Sequence, residues 1–315
     1  MKQTGIGVNI FMLAAMAATL FTGCEIGEDR DDCPPDQNTK LVFGYQNFPN
    51  PNPDDENVSF PDNIGQVTTG IYDSEGNFVL EKVMNTPQDV TLSLPPGAYT
   101  AVCWGNALDN TEIDGLTEGS VIDDGRVCHP NYSGAKTYAP GDAIPTNDSL
   151  YYGIATFTKI LYQDLRVTVV FKPAHIKLKV TVQGLPNTRA GTPPQDYPVI
   201  RVNKLKAVYD FEMNTLGASV SYYPRVEVTA QDMAVSQCNV LRFATDNPVT
   251  IDVIRSLADN TTLQSINLKE LLEENNKTIV DGEEVFIPVK VVFSNLGNVE
   301  VSLAGWGNMP VTPGM

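Results

Sequence analysis

Strict alternation of apolar and polar residues from His175 to Val182 constrains the fold of this chain more than any other feature. Successive side chains of a strand point to opposite faces, so the alternation predicts one buried face and one exposed face. The buried face is Ile176, Leu178, Val180 and Val182. The other face is His175, Lys177, Lys179 and Thr181. Such a strand is typical of an antiparallel sheet in a β-sandwich, and it predicts a solvated His175.

Similar segments recur along the chain and predict an all-β fold. A Pro-Gly turn at Pro95–Gly97 and a hairpin loop at Asp73–Asn77, where Gly76 can adopt a positive φ, separate neighbouring strands. The stretch Ser265–Glu273 is the helical candidate, with Leu268, Leu271 and Leu272 on one face. The remaining strand candidates are Lys40–Tyr45, Val67–Asp73, Phe78–Val83, Val90–Leu94, Tyr99–Trp104, Leu165–Phe171, Ile200–Phe211, Val220–Val228, Val240–Ala244, Val249–Ile254, Val285–Phe293 and Val299–Leu303.

Domain organisation follows from the spacing of these segments. Residues 108–148 are rich in Gly, Asp and Pro and carry few strand signals, which is typical of a long loop. A boundary after this region, near Gln163, leaves two halves that are each long enough for their own core. We therefore expect two β-sandwich domains, at residues 40–162 and 163–315, with the short helix in the second.

The N-terminal sequence indicates an export signal. An apolar segment from Val8 to Phe21 follows Lys2, and it is too short to span a bilayer. Thr22-Gly23-Cys24 at its end resembles the lipobox of bacterial lipoproteins, in which cleavage between Gly23 and Cys24 leaves an acylated cysteine. Residues 1–23 would then be a signal peptide and Cys24 the lipidation site. An ordinary secretory signal with a coincidental cysteine is the alternative.

Acidic residues crowd residues 24–39, the predicted linker, and five of them fall between Glu25 and Asp32. This stretch resembles the export signal that sends Bacteroidota lipoproteins to the outer face of the outer membrane; a solvated acidic linker is the alternative. The whole chain has a net charge of −17 and no basic stripe. Nucleic acid is therefore not an expected partner.

The five cysteines give a second expectation about covalent structure. With Cys24 assigned to lipid, Cys33, Cys103, Cys128 and Cys238 remain, and an extracytoplasmic compartment permits disulfides. Three pairings are open, and Cys103 with Cys128 is favoured because it closes the shortest loop. The chain has no Cys-x-x-Cys and only two histidines, so we expect no metal and no cofactor.

The order of motifs resembles the FimB-like family of fimbrial anchor and assembly lipoproteins of Bacteroidota, part of the type V pilus system. The resemblance covers nearly the whole mature chain. It is carried by the lipobox with residues 31–34, by 41–45, by 71–78, by Leu94-Pro95-Pro96-Gly97-Ala98-Tyr99 and its continuation to Asn106, by 148–153, by 182–185, and by the C-terminal 305–307 and 311–314.

This resemblance implies two transthyretin-like, Greek-key β-sandwiches and no catalytic activity. It also implies attachment of a surface pilus to the outer membrane, through the N-terminal lipid, and a part in pilus assembly or length control. Pilins of this system join by strand exchange, in which a neighbour's strand completes an open sandwich. Stalk pilins lose an N-terminal strand to a protease, whereas an anchor should keep its own.

Other functions have less support in the sequence. No common catalytic motif occurs, and His129 lies in the long loop without an evident nucleophile partner. Acidic residues in that loop do not match a calcium-binding loop. Trp104 and Trp306 are expected to be core aromatics, although exposed tryptophans would suit a sugar platform. A surface glycan-binding lipoprotein of a nutrient-uptake system is the alternative function, and a glycosidase is a third.

Overall fold

The structure is a computed structural model that describes residues 38–46, 64–85, 89–132, 143–294 and 297–305. All of these residues belong to one compact unit, which begins at Gln37. Within these ranges the strands are β1 (Thr39–Tyr45), β2 (Gln66–Asp73), β3 (Phe78–Asn85), β4 (Asp89–Leu92), β5 (Gly97–Gly105), β6 (Glu112–Asp114), β7 (Arg126–Cys128), β8 (Tyr151–Lys159), β9 (Leu165–Pro173), β10 (His175–Gln183), β11 (Val199–Leu205), β12 (Val208–Tyr209), β13 (Thr215–Leu216), β14 (Val220–Tyr222), β15 (Val226–Val228), β16 (Met233–Leu241), β17 (Thr250–Ile254), β18 (Thr262–Asn267), β19 (Phe286–Phe293) and β20 (Val299–Leu303). One α-helix, α1, spans Leu268–Glu274, and short 3-10 turns cover Ile122–Asp124, Pro186–Thr188 and Pro194–Asp196.

The first sandwich is built from one sheet with the order β3-β2-β5-β8-β9-β1-β4. β8 and β9 pair only where Tyr151 meets Pro173 and Tyr152 meets Lys172. The strands diverge beyond that point, so the two parts of the sheet face each other across a shared core. Inward-facing aliphatic and aromatic side chains fill this core: Leu41, Phe43, Val67, Ile71, Leu92, Ala101, Cys103, Val169 and Phe171.

The second sandwich packs the sheet β15-β16-β10-β19-β20 against the sheet β14-β11-β17-β18. The alternation predicted for β10 is confirmed on its apolar face, where Ile176, Leu178, Val180 and Val182 are at most 2% exposed. The buried face of α1, which is Leu268, Leu271 and Leu272, closes this core as its spacing predicts. The predicted all-β class with one short helix in the second half is therefore confirmed.

Several element boundaries differ from the sequence prediction. The helix begins at Leu268 because Ser265 and Asn267 are still paired in β18, opposite Asp252 and Thr250 of β17. The single strand predicted over Ile200–Phe211 is broken after β11, close to Lys204, which adopts a positive φ of 64°. The hairpin prediction is confirmed, since Gly76 has a φ of 82°.

A small third sheet joins the two sandwiches. β6 and β7 lie in the region predicted to be a long loop, and β7 pairs with β12, giving the order β13-β12-β7-β6. Its side chains and the outer face of β2, β5 and β8 enclose a third core. This junction core contains Tyr72, Val102, Trp104, Val127, Leu150, Tyr152, Ala174, Tyr209, Phe211 and Leu241.

Sheet membership bears on the expected division of the chain at residue 163. β9 begins at Leu165, after that boundary, yet it pairs with β1 and β8 of the first sandwich. The first strand of the second sandwich is β10, which begins at His175. We therefore propose that a two-domain division of this chain falls at Ala174.

Candidate assembly edges and the junction between the two sandwiches

Some of the residues singled out in the sequence lie outside the described part of the chain, and others lie inside it. Gly23, Cys24, Cys33 and Trp306 lie outside the described residues. Cys103 and Cys128 are free thiols, and the structure does not bring them together. Cys103 lies in the core of the first sandwich, 3.3 Å from the Thr69 hydroxyl, whereas β7, which carries Cys128, covers the opposite face of that sheet. Their disulfide stays a prediction from the sequence.

The prediction of a solvated His175 is wrong. Its side chain is 4% exposed, and the ring of Tyr151 from the first sandwich packs against it at 5.4 Å between centroids. Its Nδ1 lies 2.9 Å from the Leu150 carbonyl oxygen. The polar face of β10 is thus covered, at this end, by the neighbouring sandwich. Alternation within one strand identifies the two faces but not what packs on the second.

His129 and Asp148 make hydrogen bonds that order the segment between β5 and β8. The His129 ring is 4% exposed, and its Nδ1 accepts a hydrogen bond from the Asn131 backbone N–H. The Asp148 carboxylate accepts hydrogen bonds from the backbone N–H groups of Leu108 and Asn110 and from the Thr111 hydroxyl. Within the described ranges, no group of three or more His, Cys, Asp or Glu side chains is placed to hold a metal ion.

The first strand of the described chain completes its own sandwich. β1 runs parallel to β9 over seven residue pairs and antiparallel to β4 over four. Its side chains Leu41 and Phe43 are fully buried, and Tyr45 is 5% exposed. β1 is therefore an interior strand, and among the described residues it fills the position between β9 and β4.

The outer strands of the sheets differ in how well they are protected against further pairing. β3 carries the adjacent exposed charges Glu81 and Lys82, which disfavour an added strand. β20 presents half-buried Val299, Val301 and Leu303, which pack on the edge of the second core. This combination of apolar side chains and a free backbone edge is suited to strand addition.

Backbone hydrogen bonds show which groups of β20 face outward. The Ser294 N–H donates to the Asn298 carbonyl, and the Ala304 N–H donates to the Pro288 carbonyl, both at 2.9 Å. Hydrogen-bonded pairs alternate along an antiparallel ladder, so the even-numbered residues of β20 bond to β19. The N–H and C=O groups of Val299, Val301 and Leu303 consequently point towards the free edge.

Trp104 is the centre of the junction core. Its side chain is 1% exposed, and its ring stacks on Tyr209 of β12 at 5.8 Å and lies 5.0 Å from Tyr152. The Tyr209 hydroxyl donates to the Ala174 carbonyl, and the Tyr152 hydroxyl donates to the Phe211 carbonyl, both at 2.9 Å. The expectation of a core role for Trp104 is confirmed, and a buried ring cannot serve as a sugar platform.

Close packing at this junction depends on a glycine. A Cβ added to Gly125 would lie 2.2 Å from the Phe211 ring, well inside any normal contact distance. Gly125 precedes β7, while Phe211 follows β12 in the second half of the chain. The close approach lets the small sheet cover the aromatic cluster.

A polar network adds to the junction beside the aromatic core. Glu284, just before β19, accepts hydrogen bonds from the hydroxyls of Tyr45 at 2.9 Å and Tyr151 at 2.7 Å. Burial and the nearby Glu284 carboxylate raise the pKa of the Tyr45 phenol above its usual value, so it remains a donor. Lys172 pairs with Asp281 at 3.1 Å, and this pair also links the first sandwich to the segment before β19.

Arg242 fixes the same segment from the other side. Its guanidinium donates to the Glu283 carbonyl at 2.8 Å and to the Val280 carbonyl. The adjacent cavity, about 490 Å³ in volume, is lined by Tyr209, Asn214, Phe243 and Asp281 among others. The polar groups of Tyr209 and Arg242 are committed to backbone partners. These contacts hold the segment before β19 in place.

Both histidines should make folding sensitive to mild acid. Burial lowers the pKa of His175, although Glu284 opposes this, and burial lowers the pKa of His129. The unfolded chain therefore takes up protons first, and stability is lost as the pH falls below about 6.5, by about 1.4 kcal/mol for each unit of pKa shift. Urea unfolding between pH 8 and pH 5 would measure this loss.

The matched variants for this experiment are His175→Asn and His129→Asn, which remove the titrating groups and keep polar atoms. We expect the double variant to show a flatter dependence of unfolding free energy on pH across that window. A slope equal to that of the parent protein would contradict the assignment to these two residues.

Comparison with solved structures finds the same fold in several proteins of Bacteroidota. The fimbrial anchor protein Mfa2 from Porphyromonas gingivalis shares 16% identity, with a TM-score of 0.60, over 84% of this chain and 95% of that chain. A Bacteroides ovatus protein described as a "putative adhesin" shares 13% identity, with a TM-score of 0.63, over 86% and 94%. A Bacteroides thetaiotaomicron structure described as "putative polysaccharide binding proteins" shares 14%, with a TM-score of 0.60, over 87% and 100%. At these identities the likeness concerns the fold. Comparison with curated proteins finds no match.

The class of protein is therefore a tandem β-sandwich with the fold of these solved structures. The model of the family of fimbrillin-A associated anchor proteins Mfa1 and Mfa2 matches residues 30–309. This chain belongs to that family, and the resemblance to Bacteroidota fimbrial anchors is confirmed. It is a fimbria-associated structural protein of the cell envelope. Across the described residues, no helix has the length and apolar character needed to cross a bilayer.

Proposed function

We propose that this chain is a lipid-anchored, non-catalytic fimbrial anchor that attaches a pilus to the outer membrane and ends the filament there. Acylation at Cys24 provides the attachment, and the acidic residues that follow direct it to the cell surface. The observation that supports this most strongly is the interior position of β1. A strand paired on both sides and buried through Leu41 and Phe43 cannot be removed without opening the core.

An intact first strand accounts for both attachment and length control. In strand exchange, a subunit accepts a neighbour's strand only where its own sandwich is open. The first sandwich is closed by β1, so no further subunit can be added at that groove. A subunit of this kind terminates the filament at the membrane side, which limits the length of the pilus.

The same strand is well placed to transmit load from a tether. Tension applied from the N-terminal side would pull β1 along its own axis. The parallel ladder with β9 runs from Thr39 to Tyr45 and would be loaded in shear, with its hydrogen bonds strained together. β1 also contributes Tyr45 to the junction through Glu284. Load can thus pass from the tether to the second sandwich.

We propose further that the pilin partner adds a strand beside β20. The outward N–H and C=O groups of Val299, Val301 and Leu303 provide the ladder, and burial of their half-exposed side chains provides apolar contact. The charged edge of β3 is a poorer template. The filament would then extend from the second sandwich, while the first faces the membrane.

Proline at Val301 is expected to abolish pilin binding at this edge. Proline removes the outward N–H of Val301, and it leaves the hydrogen bonds of Glu300 and Ser302 to β19 in place. We expect at least a tenfold loss of co-purifying pilin, about 1.4 kcal/mol or more. The readout is the amount of pilin recovered with the full-length chain from cells.

Val301→Ala is the control, since it keeps the N–H donor while shortening the same side chain. It should retain most of the pilin, and both variants should unfold close to the parent temperature. Equal pilin recovery with Val301→Pro and with the parent chain would contradict the proposal that β20 is the docking edge. If pili stay attached in cells that lack the chain, the proposed anchor function is contradicted.

A further inference from the structure

The loop between β8 and β9 exposes three consecutive large apolar side chains. Ile160, Leu161 and Tyr162 are 58%, 56% and 67% exposed. Single exposed apolar residues are normal on protein surfaces, whereas a contiguous run usually marks an interaction site. The Lys159 ammonium donates to the Gln163 carbonyl across the loop, and Tyr162 adopts a positive φ of 59°. The loop is therefore held in a defined shape that presents these side chains outward.

This loop lies where the N-terminal segment joins the first sandwich. The Asn38 N–H donates to the Asp164 carboxylate at 3.2 Å, and the Leu165 N–H donates to the Asn38 carbonyl at 3.2 Å. Thr39 then pairs with Leu165 at the start of the parallel ladder. The exposed loop and the point of chain entry thus occupy the same end of the first sandwich.

Chain length limits how far this end can lie from a lipid attached at Cys24. About 14 residues separate Cys24 from Asn38, and a fully extended chain of that length spans at most about 50 Å. An apolar patch at the end of the molecule nearest the tether can contact the bilayer more readily than a patch at the far end.

The composition of the loop and of the turn beside it also suits a lipid surface. The chain as a whole has a net charge of −17, yet residues 93–97 and 159–163 contain no carboxylate. The Pro95 and Pro96 turn is exposed, and it neighbours the loop because Gly97 pairs with Lys159. Asp164, next to the loop, is occupied by the Asn38 N–H. Inserting only the tip of the loop, Ile160–Tyr162, would therefore desolvate no carboxylate, and the nearby Asp73 and Glu75 of the β2–β3 hairpin would stay in water.

We propose that the loop Ile160–Tyr162 inserts into the lipid surface that holds the tether and seats the first sandwich on the membrane. Ile160 and Leu161 would enter the boundary of the acyl region, and the Tyr162 hydroxyl would stay at headgroup level. This second contact fixes the orientation of the anchor, so that the second sandwich and its β20 edge point away from the membrane. The inference rests on the proposed lipid anchor.

Vesicle flotation of the full mature chain carrying Cys24→Ala tests the loop without the lipid. The vesicles are phosphatidylethanolamine with phosphatidylglycerol. We expect weak but measurable binding, and a loss of about tenfold or more for Leu161→Asp. Leu257→Asp is the matched control, because Leu257 is 58% exposed in the second half of the chain. It should bind as the parent does.

A second readout places the loop directly. Tyr162→Trp should show a blue shift of its emission and quenching by brominated lipid, and Leu257→Trp should show neither. Equal binding of Leu161→Asp and its parent, no binding of the parent, or protection of residue 162 by pilin or a second copy in place of lipid would each overturn the proposal. Release of Cys24→Ala from cell membranes tests the anchor separately, so the two ideas can fail independently.

Discussion

Replacement of Trp104 by alanine should lower the free energy of unfolding by about 3–5 kcal/mol, the usual range for deletion of a buried tryptophan. The ring fills the centre of the junction core and contacts Tyr152 of the first sandwich and Tyr209 of the small third sheet. Its removal leaves a cavity that rigid sheets on either side cannot close. The loss should therefore weaken the packing of the two sandwiches as well as the stability of the first.

Urea unfolding and limited proteolysis would measure both effects. Trp104→Phe keeps most of the aromatic contact and should cost less, because the indole N–H has no hydrogen-bond partner in the structure. Val83→Ala changes a side chain that is 53% exposed on β3 and should alter stability by no more than about 0.5 kcal/mol. A loss for Trp104→Ala as small as that of Val83→Ala would show that the junction does not depend on this ring.

Replacement of Cys24 by alanine should release the chain from the membrane fraction almost completely. Each buried CH₂ of an acyl chain contributes about 0.8 kcal/mol, and two or three chains hold a protein essentially permanently. The contact proposed for Ile160–Tyr162 is too weak to replace them. Cells with this variant should shed their pili into the medium, which electron microscopy and fractionation would detect.

Cys33→Ala is the matched control, since it removes a nearby cysteine and leaves the lipobox unchanged. This variant should remain in the outer membrane and keep its pili attached. Unchanged fractionation of Cys24→Ala would contradict lipid anchoring. Release of the protein without shedding of pili would support lipid attachment at Cys24 but contradict the role as a pilus anchor.

Local patterns in the sequence were sufficient to predict most strands. β10 follows the alternation from His175 to Val182, and β20 matches the predicted bounds of Val299–Leu303. These predictions succeed because the identity of a strand and of its buried face depends on neighbours one and two positions away. Prediction was poorer for β6 and β7, which are three residues long; β7 pairs with the distant β12, and β6 pairs with β7.

His175 shows where local reasoning fails at the candidate site. Its place on the polar face of β10 was read correctly from the alternation, but Tyr151 and Arg242 cover that end of the strand. The predicted boundary near Gln163 gave no signal for this contact, because His175 lies 12 positions beyond it and directly follows Ala174, where sheet membership changes. The sequence likewise does not identify the sheet edge that is available to a partner. The pairing of β19 with β20 shows which backbone groups face outward.

The sequence by itself determined the β class, the short helix, the motif order of a fimbrial anchor and the expectation of a lipid at Cys24. The tertiary structure decided that β1 is an interior strand, that Trp104 joins the two halves and that Ile160–Tyr162 lies beside the chain entry. These features join residues far apart in the chain: Asn38 meets Asp164, 126 positions away, and Tyr45 meets Glu284, 239 positions away. Strand pairing over such separations depends on how whole sheets pack, and a local pattern of residues does not specify it.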